Sequence, residues 1–314
     1  MSAPAGSLAT GRFRGWAFPR TPLARVARVR AAIYAIVILD VLFLVTDPID
    51  HGDVPAALYR ELPVRALLHL PQPSPAYGWV LLFVIVVSAA VAASGRLPRL
   101  AGWVCAVAML DWVSNGMSYG KVDHDHFALV VALFVLPTVG RAEWFEGRRT
   151  EAAGWALRMI QLAVVATYFL SAIAKIREGG WLWGSSATLI WALSRRGDVQ
   201  PAQWLSTQPA LTYAMQWTVF VAELLSPIML WLRGRALLAA VGFWIVFHAC
   251  TYVLLTIHFL PTAICLLAFL PLERIGRRGA PGSTPGAGGV EPGEPASAGQ
   301  RSRRRVGARL RIQS

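Results

Sequence analysis

Several ionisable side chains stand in or at the edges of long apolar runs, where such groups are costly. Inserting one into lipid costs about a few kcal/mol, so each marks a place where something besides packing is served. Asp40, Asp111, Lys175, Glu223 and His248 lie within the runs, and His124, His126 and His258 open others. A lysine in a poorly solvated pocket can act as a general base, and histidines beside it can position or stabilise reacting groups. Helical spacing groups these residues with polar neighbours. Tyr168, Ser171 and Lys175 fall at i, i+3 and i+7 on one face; Asp111, Ser114 and Asn115 share another, and His248, Thr251 and Tyr252 a third. Polar faces of this kind suit a ligand-filled cavity rather than lipid. Each residue also has a plainer role open to it. Lys175 could snorkel to the interface, His124 could be interfacial, and His248 a satisfied core histidine. Glu223 could pair only with Asn115 or a backbone group. The His124–Asp125–His126 trio lacks a spacing that specifies a metal, so none is expected.

The elements that carry these residues are expected to be membrane helices. Eight apolar segments fall at about 26–46, 77–95, 99–116, 124–140, 153–176, 211–232, 235–255 and 257–272, near the length of roughly 20 residues that spans a bilayer. The fold class is therefore all-α, a polytopic membrane helix bundle of about eight transmembrane helices. Arginines recur in alternate loops: the N-terminal tail, Arg96 and Arg99, Arg141 to Arg149, Arg233 and Arg235, and the C-terminal tail. This places both termini in the cytoplasm, in a plasma-membrane protein. Asp111, Asn115, His124, Lys175 and His248 then fall in the outer half of the bundle, with Glu223 nearer the midplane. The long fifth loop is the exception, with Arg177, Arg195 and Arg196 outside. It also carries Trp181, Trp183, Trp191 and Trp204, as an interfacial or re-entrant segment would, with a short helix near 185–194.

Composition agrees. A mean hydropathy of +0.49 and only 15% charged residues exclude an ordinary soluble domain, and the short alternation of a transmembrane barrel is absent. The net charge of +13 is almost all arginine flanking the apolar runs, as topology and anionic lipid require, so no nucleic-acid partner is expected. Cys105, Cys250 and Cys265 lie in apolar runs without metal or disulfide spacing and read as small core residues. The first apolar run reads as an anchor rather than a cleaved leader. Three regions follow: a basic tail over 1–25, the membrane domain over 26–272, and a Gly/Pro/Arg-rich tail over 273–314 whose composition cannot pack and is expected to be disordered.

Several motifs are similar, in order and spacing, to one family. Tyr168-Phe-Leu-Ser-Ala-Ile-Ala-Lys175 followed by Trp181-Leu-Trp-Gly184 resembles the horizontally transferred transmembrane (HTTM) domain, the membrane domain of vitamin K-dependent γ-carboxylases. His124-Asp-His-Phe resembles that family's Asn-His-x-Tyr-Leu motif. Phe247-His248-Ala-Cys-Thr251 with Phe259-Leu-Pro261 resembles its Phe-His motif, and Glu223-Leu-Leu-Ser-Pro227 a Glu–Pro element. The resemblance covers about 25–272. It implies Lys175 as the base that deprotonates a reduced quinone, with His124 and His248 in supporting roles. The sequence departs at Ala174, where the carboxylases have a second lysine, and at Thr251, where they have asparagine. No stretch of the given sequence resembles the large domain with which the carboxylases grip a protein substrate. A quinone or another lipid-borne substrate at the outer leaflet is thus expected, with Asp111, Asn115, Tyr168, Ser171, Glu223, Thr251 and Tyr252 around it. The cofactor is not fixed by the sequence; a reduced quinone comes only by resemblance. The alternatives are a non-catalytic protein for maturation, export or immunity to a secreted peptide, and then a transporter. Membrane lipids are partners in every case.

Overall fold

The computed structural model describes residues 11, 13–120 and 124–275. All the expected helical segments are present. A two-residue strand Thr21–Pro22 (β1) leads into helix α1 (Leu23–Leu39), which widens to a π turn over Asp40–Leu44. There follow α2 (Asp47–Asp50), α3 (Pro63–Leu67), α4 (Pro75–Ala93), α5 (Leu100–Met117), α6 (Phe127–Val139), strand β2 (Arg149–Thr150) and α7 (Glu151–Gly179). The remainder is α8 (Thr188–Arg196), α9 (Gln200–Ser206), α10 (Pro209–Leu225), α11 (Gly234–Leu255) and α12 (Leu260–Cys265). The strands pair antiparallel, with Thr21 opposite Thr150.

Local chemistry sets the helix starts. The Ser74 hydroxyl accepts from the Tyr77 amide at 3.3 Å, and Thr150 accepts from Ala153 at 3.1 Å with Glu151 in the first turn. Proline at the first turn opens α4 and α10, where its missing N–H has no helical partner anyway.

Four helices are long and apolar enough to cross a membrane: Pro75–Ala93, Glu151–Gly179, Pro209–Leu230 and Gly234–Leu255. The bent pair Leu23–Leu44 and Asp47–Asp53 makes five if it is one span. α5 (Leu100–Met117) is not among these candidates, and His124–Val139 and Leu260–Phe269 are helices shorter than a bilayer is thick, so the count of eight spans is not confirmed. Both are nonetheless buried in the bundle through residues such as Leu133, Leu136, Cys265 and Leu266.

The arginine-rich loops meet at one end of the bundle, and several arginines there hold the fold together. Arg30 is buried and donates to the carbonyls of Gly140 at 2.7 Å and Ala142 at 2.9 Å. Arg99 abuts Gly140, which adopts φ +77°. Arg158 lies 4.7 Å over the Trp16 ring, and Arg28 donates to the Leu272 carbonyl.

Arg25 grips Glu273 through two bonds of 2.6 and 2.7 Å. Structure therefore continues past residue 272, through Ile275; the rest of the tail expected to be disordered lies outside the described residues. Burial alone would raise the Glu273 carboxyl, but bonds from Arg25 and its own backbone hold it below the ordinary carboxylate range. The folded value is depressed, so its stabilisation is present above the ordinary carboxylate range and is lost as pH falls from there through the lowered folded value. Melting should drop on acidification more steeply in wild type than in Glu273→Gln, whereas truncation after residue 275 should leave melting nearly unchanged. Equal acid sensitivity of wild type and Glu273→Gln would show that the clamp contributes nothing.

Candidate functional site

The long helix α7 carries Tyr168, Ser171 and Lys175 up one face, and α10 faces it with Glu223. Lys175 Nζ donates to Glu223 Oε1 at 2.7 Å, to Glu223 Oε2 at 2.5 Å and to Ser171 Oγ at 2.8 Å. Three donated bonds from one nitrogen are those of an ammonium. The Trp183 ring centre lies 5.1 Å from the same nitrogen. Lys175 is thus held at both partners and does not reach out to an interface. Its side chain is 20% exposed and that of Glu223 only 6%, so the carboxylate is the more committed member of the pair.

Below the pair, α11 contributes His248. Its Nε2 is 2.8 Å from the Tyr168 hydroxyl, and the Tyr168 ring stacks at 3.7 Å on Trp244. Nδ1 of this buried ring has no hydrogen-bond partner among the described residues. Phe259 separates the two histidines, its ring 5.5 Å from His248 and 6.0 Å from His124.

These groups border one cavity of about 330 Å³, whose other walls include Met215, Val219, Phe247, Leu254 and Ile257. A second hollow of about 760 Å³ lies on the far side of Lys175 and shares His124, Thr167, Ser171, Lys175 and Trp183 with the first. The ion pair therefore stands between two apolar spaces. A few convergent polar groups in an otherwise apolar hollow is the usual make-up of a small-molecule site.

The cavity is roofed by the segment after α7. Gly180, at φ +72°, ends that helix, a conformation glycine adopts without strain. At Gly184 a Cβ would come within 2.5 Å of the Trp217 ring, so only glycine lets the turn Trp181–Ser185 lie this close. Gln216, buried on α10, then fastens the roof. Its amide nitrogen donates to the carbonyls of Trp183 and Ser186 at 2.8 and 3.1 Å, and its oxygen accepts from the Leu189 amide at 2.8 Å. Sequence reasoning passed over Gln216, because a glutamine in a helix carries no visible signal of such a role. The anticipated short helix near 185–194 is α8, and Trp181, Trp191 and Trp204 around it are exposed.

Of the residues expected at the site, His124, Tyr168, Ser171, Lys175, Glu223, His248 and Thr251 line this cavity. Three do not. Asp111 is buried against Arg65 and Tyr77 in the seam between α4 and α5. Asn115 is fully buried with neither side-chain atom hydrogen-bonded among the described residues, and Tyr252 is 59% exposed on the outer side of α11. Glu223 meets Lys175, not Asn115. Asp40 and Asp125 flank His126 at 2.8 and 3.3 Å in a third buried cluster. Cys105 and Cys265 are core residues, while Cys250 is exposed. Among the described residues no three His, Cys, Asp or Glu side chains are arranged to hold a metal ion.

A family model, the HTTM domain, matches residues 140–273. The chain carries an HTTM domain. No curated protein and no solved structure matches it. The matched HTTM segment runs from the end of α6 through α12. It contains Tyr168, Ser171, Lys175, Gln216, Glu223, His248 and Thr251 but not His124, which reaches the cavity from outside it.

Proposed function

We propose that this HTTM protein is a multi-pass plasma-membrane enzyme, or a descendant of one, acting on a quinone-like or other lipid-borne molecule. The tails over 1–25 and 273–314 would both be cytoplasmic, because the arginine-rich loops gather at one end, and the cavity would open toward the outer leaflet. The observation that carries the reading is the Lys175–Glu223 pair standing in an apolar cavity that is also lined by His248, whose Nδ1 has no partner among the described residues.

That donor set fits a flat apolar molecule with oxygens at both ends, as a reduced quinone has. Such a group would supply an acidic O–H and a stable redox partner when bound. The protein's part is to hold it and take its proton. Keeping two charges in an apolar space is costly, so moving the Lys175 Nζ proton onto Glu223 leaves a neutral amine as the base and a neutral acid beside it. His248 Nδ1 would orient the far oxygen while Tyr168 fixes the ring through Nε2. Trp183 and the roof held by Gln216 would exclude water. His124 would act from the second hollow's side of the cavity.

The non-catalytic reading, a role toward a secreted peptide, is favoured by one fact: every N–H of Lys175 is already engaged, as in a purely structural pair. Mass spectrometry of lipids extracted from the purified protein separates the two. A quinone-class isoprenoid retained near one per chain is the expected result. Phospholipid alone, in the proportions of the surrounding membrane, would favour the structural pair.

A further inference from the structure

The outer face of α8 carries a feature that the cavity chemistry does not use. Arg195 and Arg196 end this helix, both exposed, and no carboxylate pairs with either among the described residues. Asp198 is close in sequence, but no ion pair joins it to them, and Arg177 is taken by Glu178 at 2.7 Å. The Arg195 guanidinium lies 5.3 Å from the centre of the Trp191 ring, which is itself 60% exposed. These residues border an open hollow of about 560 Å³ together with Ala187, Thr188 and Ala192. Thr188 and Ala192 also line the cavity that holds Lys175. The inner side of the same helix packs Leu189 and Leu193 on Met215, Leu254 and Leu255.

We propose that Arg195 and Arg196 bind the phosphate of an anionic amphiphile whose apolar chain passes Thr188 and Ala192 into the cavity. Guanidinium groups match phosphate oxygens geometrically, and a tryptophan at headgroup depth shields the contact from water. A zwitterionic headgroup brings its own cation and gains less. An amphiphile anchored here would place its tail, or a ring carried on it, beside Lys175 and His248. The site therefore rests on the proposed cavity being a ligand site and names the class of molecule that enters it: a lipid with a phosphate-bearing, net-negative head.

Native mass spectrometry from nanodiscs of equal phosphatidylglycerol and phosphatidylcholine tests the headgroup. Phosphatidylglycerol should stay bound preferentially, and the double variant Arg195→Gln/Arg196→Gln should weaken its retention by about thirtyfold. Arg195→Lys/Arg196→Lys should recover part of it, and all variants should melt like wild type. Soluble glycerol phosphate should not compete, since it has no chain; effective competition would mean a free-phosphate site and overturn the tail's role. Phosphatidylglycerol carrying a photoactivatable chain tests the path. Crosslinks at Leu189, Met215 or Leu254 are expected, whereas crosslinks confined to exposed Leu182 or Trp204 would reduce the arginines to a surface anchor. Equal retention of the two lipids, or no loss in the glutamine variant, would overturn the proposal. None of these readouts involves a quinone or a proton transfer, so a failed search for co-purified quinone would leave them intact.

Discussion

Replacing Arg65 with methionine should remove most of the folded protein, although Arg65 belongs to the short helix α3, outside the candidate membrane spans. The side chain is fully buried. One guanidinium nitrogen bonds the Asp111 carboxylate, the Asp111 carbonyl at 3.1 Å and Ser114 at 3.3 Å. The other donates to the Pro71 carbonyl at 2.7 Å, and Nε to the Tyr59 hydroxyl at 3.1 Å. Tyr77 donates to the second Asp111 oxygen. Arg65 thus ties the segment between the π turn and α4 onto α5, and Tyr77 joins α4 to the same carboxylate. Removing it leaves a carboxylate buried with only a tyrosine for company, a loss of about 3–5 kcal/mol. The double variant Arg65→Met/Asp111→Leu deletes both charges and should recover much of that, because an apolar pair of similar volume needs no compensation. Thermal unfolding in detergent reads both. If the single variant melts within about 1 kcal/mol of wild type, the pair is as slight as an exposed one and the cluster is not what fixes the loop.

The same cluster shows where the sequence stops being legible. The helical segments are plain, because apolar runs bounded by Arg, Pro and Gly leave little choice. The face that lines the cavity is legible too: Tyr168, Ser171 and Lys175 fall on one side of α7 by spacing alone, and all three border it. Partners across helices are not. Glu223 and Lys175 are 48 residues apart, and nothing local to either predicts the other. Asp111 was expected beside Lys175 because independent helices carry both to similar depth, but depth does not fix azimuth. A bundle of this size has several interior seams, and the acidic residues expected inside the apolar runs divide among three of them: Glu223 between α7 and α10, Asp111 between α5, α4 and Arg65, and Asp40 on the π turn beside His126. Arg65 lies outside every apolar run, in a polar stretch whose sequence looks solvated. The arginines at 25, 28 and 30 read as topology signals, yet each also binds a residue distant in the chain. The number of crossings is the other loss. Hydropathy finds α6 and α12 but does not show that they are short helices enclosed by longer ones.

Lys175→Arg should fold like wild type and fail as a proton acceptor. Arginine keeps a cation opposite Glu223 and can bond both carboxylate oxygens, so the buried pair survives and melting should change by no more than about 1 kcal/mol. What it removes is the neutral amine, since a guanidinium does not release its proton to a carboxylate. Glu223→Gln is the complementary change. It strands the ammonium in an apolar space and should cost about 3–5 kcal/mol of stability, with or without a catalytic role. Stability alone therefore cannot separate a base from a structural pair, and the arginine variant, with folding held constant, is the informative one. A reduced quinone bound to purified protein can be followed by its absorbance as pH is raised. In wild type the bound hydroxyl should ionise at lower pH than in free solution, because the Lys175–Glu223 unit takes its proton and leaves an ammonium beside the oxygen that remains. In Lys175→Arg the fixed cation still attracts the oxyanion but cannot accept the proton, so the transition should move up toward that of the free compound. Superimposable curves for the two proteins would assign the pair to holding α7 against α10 and nothing more.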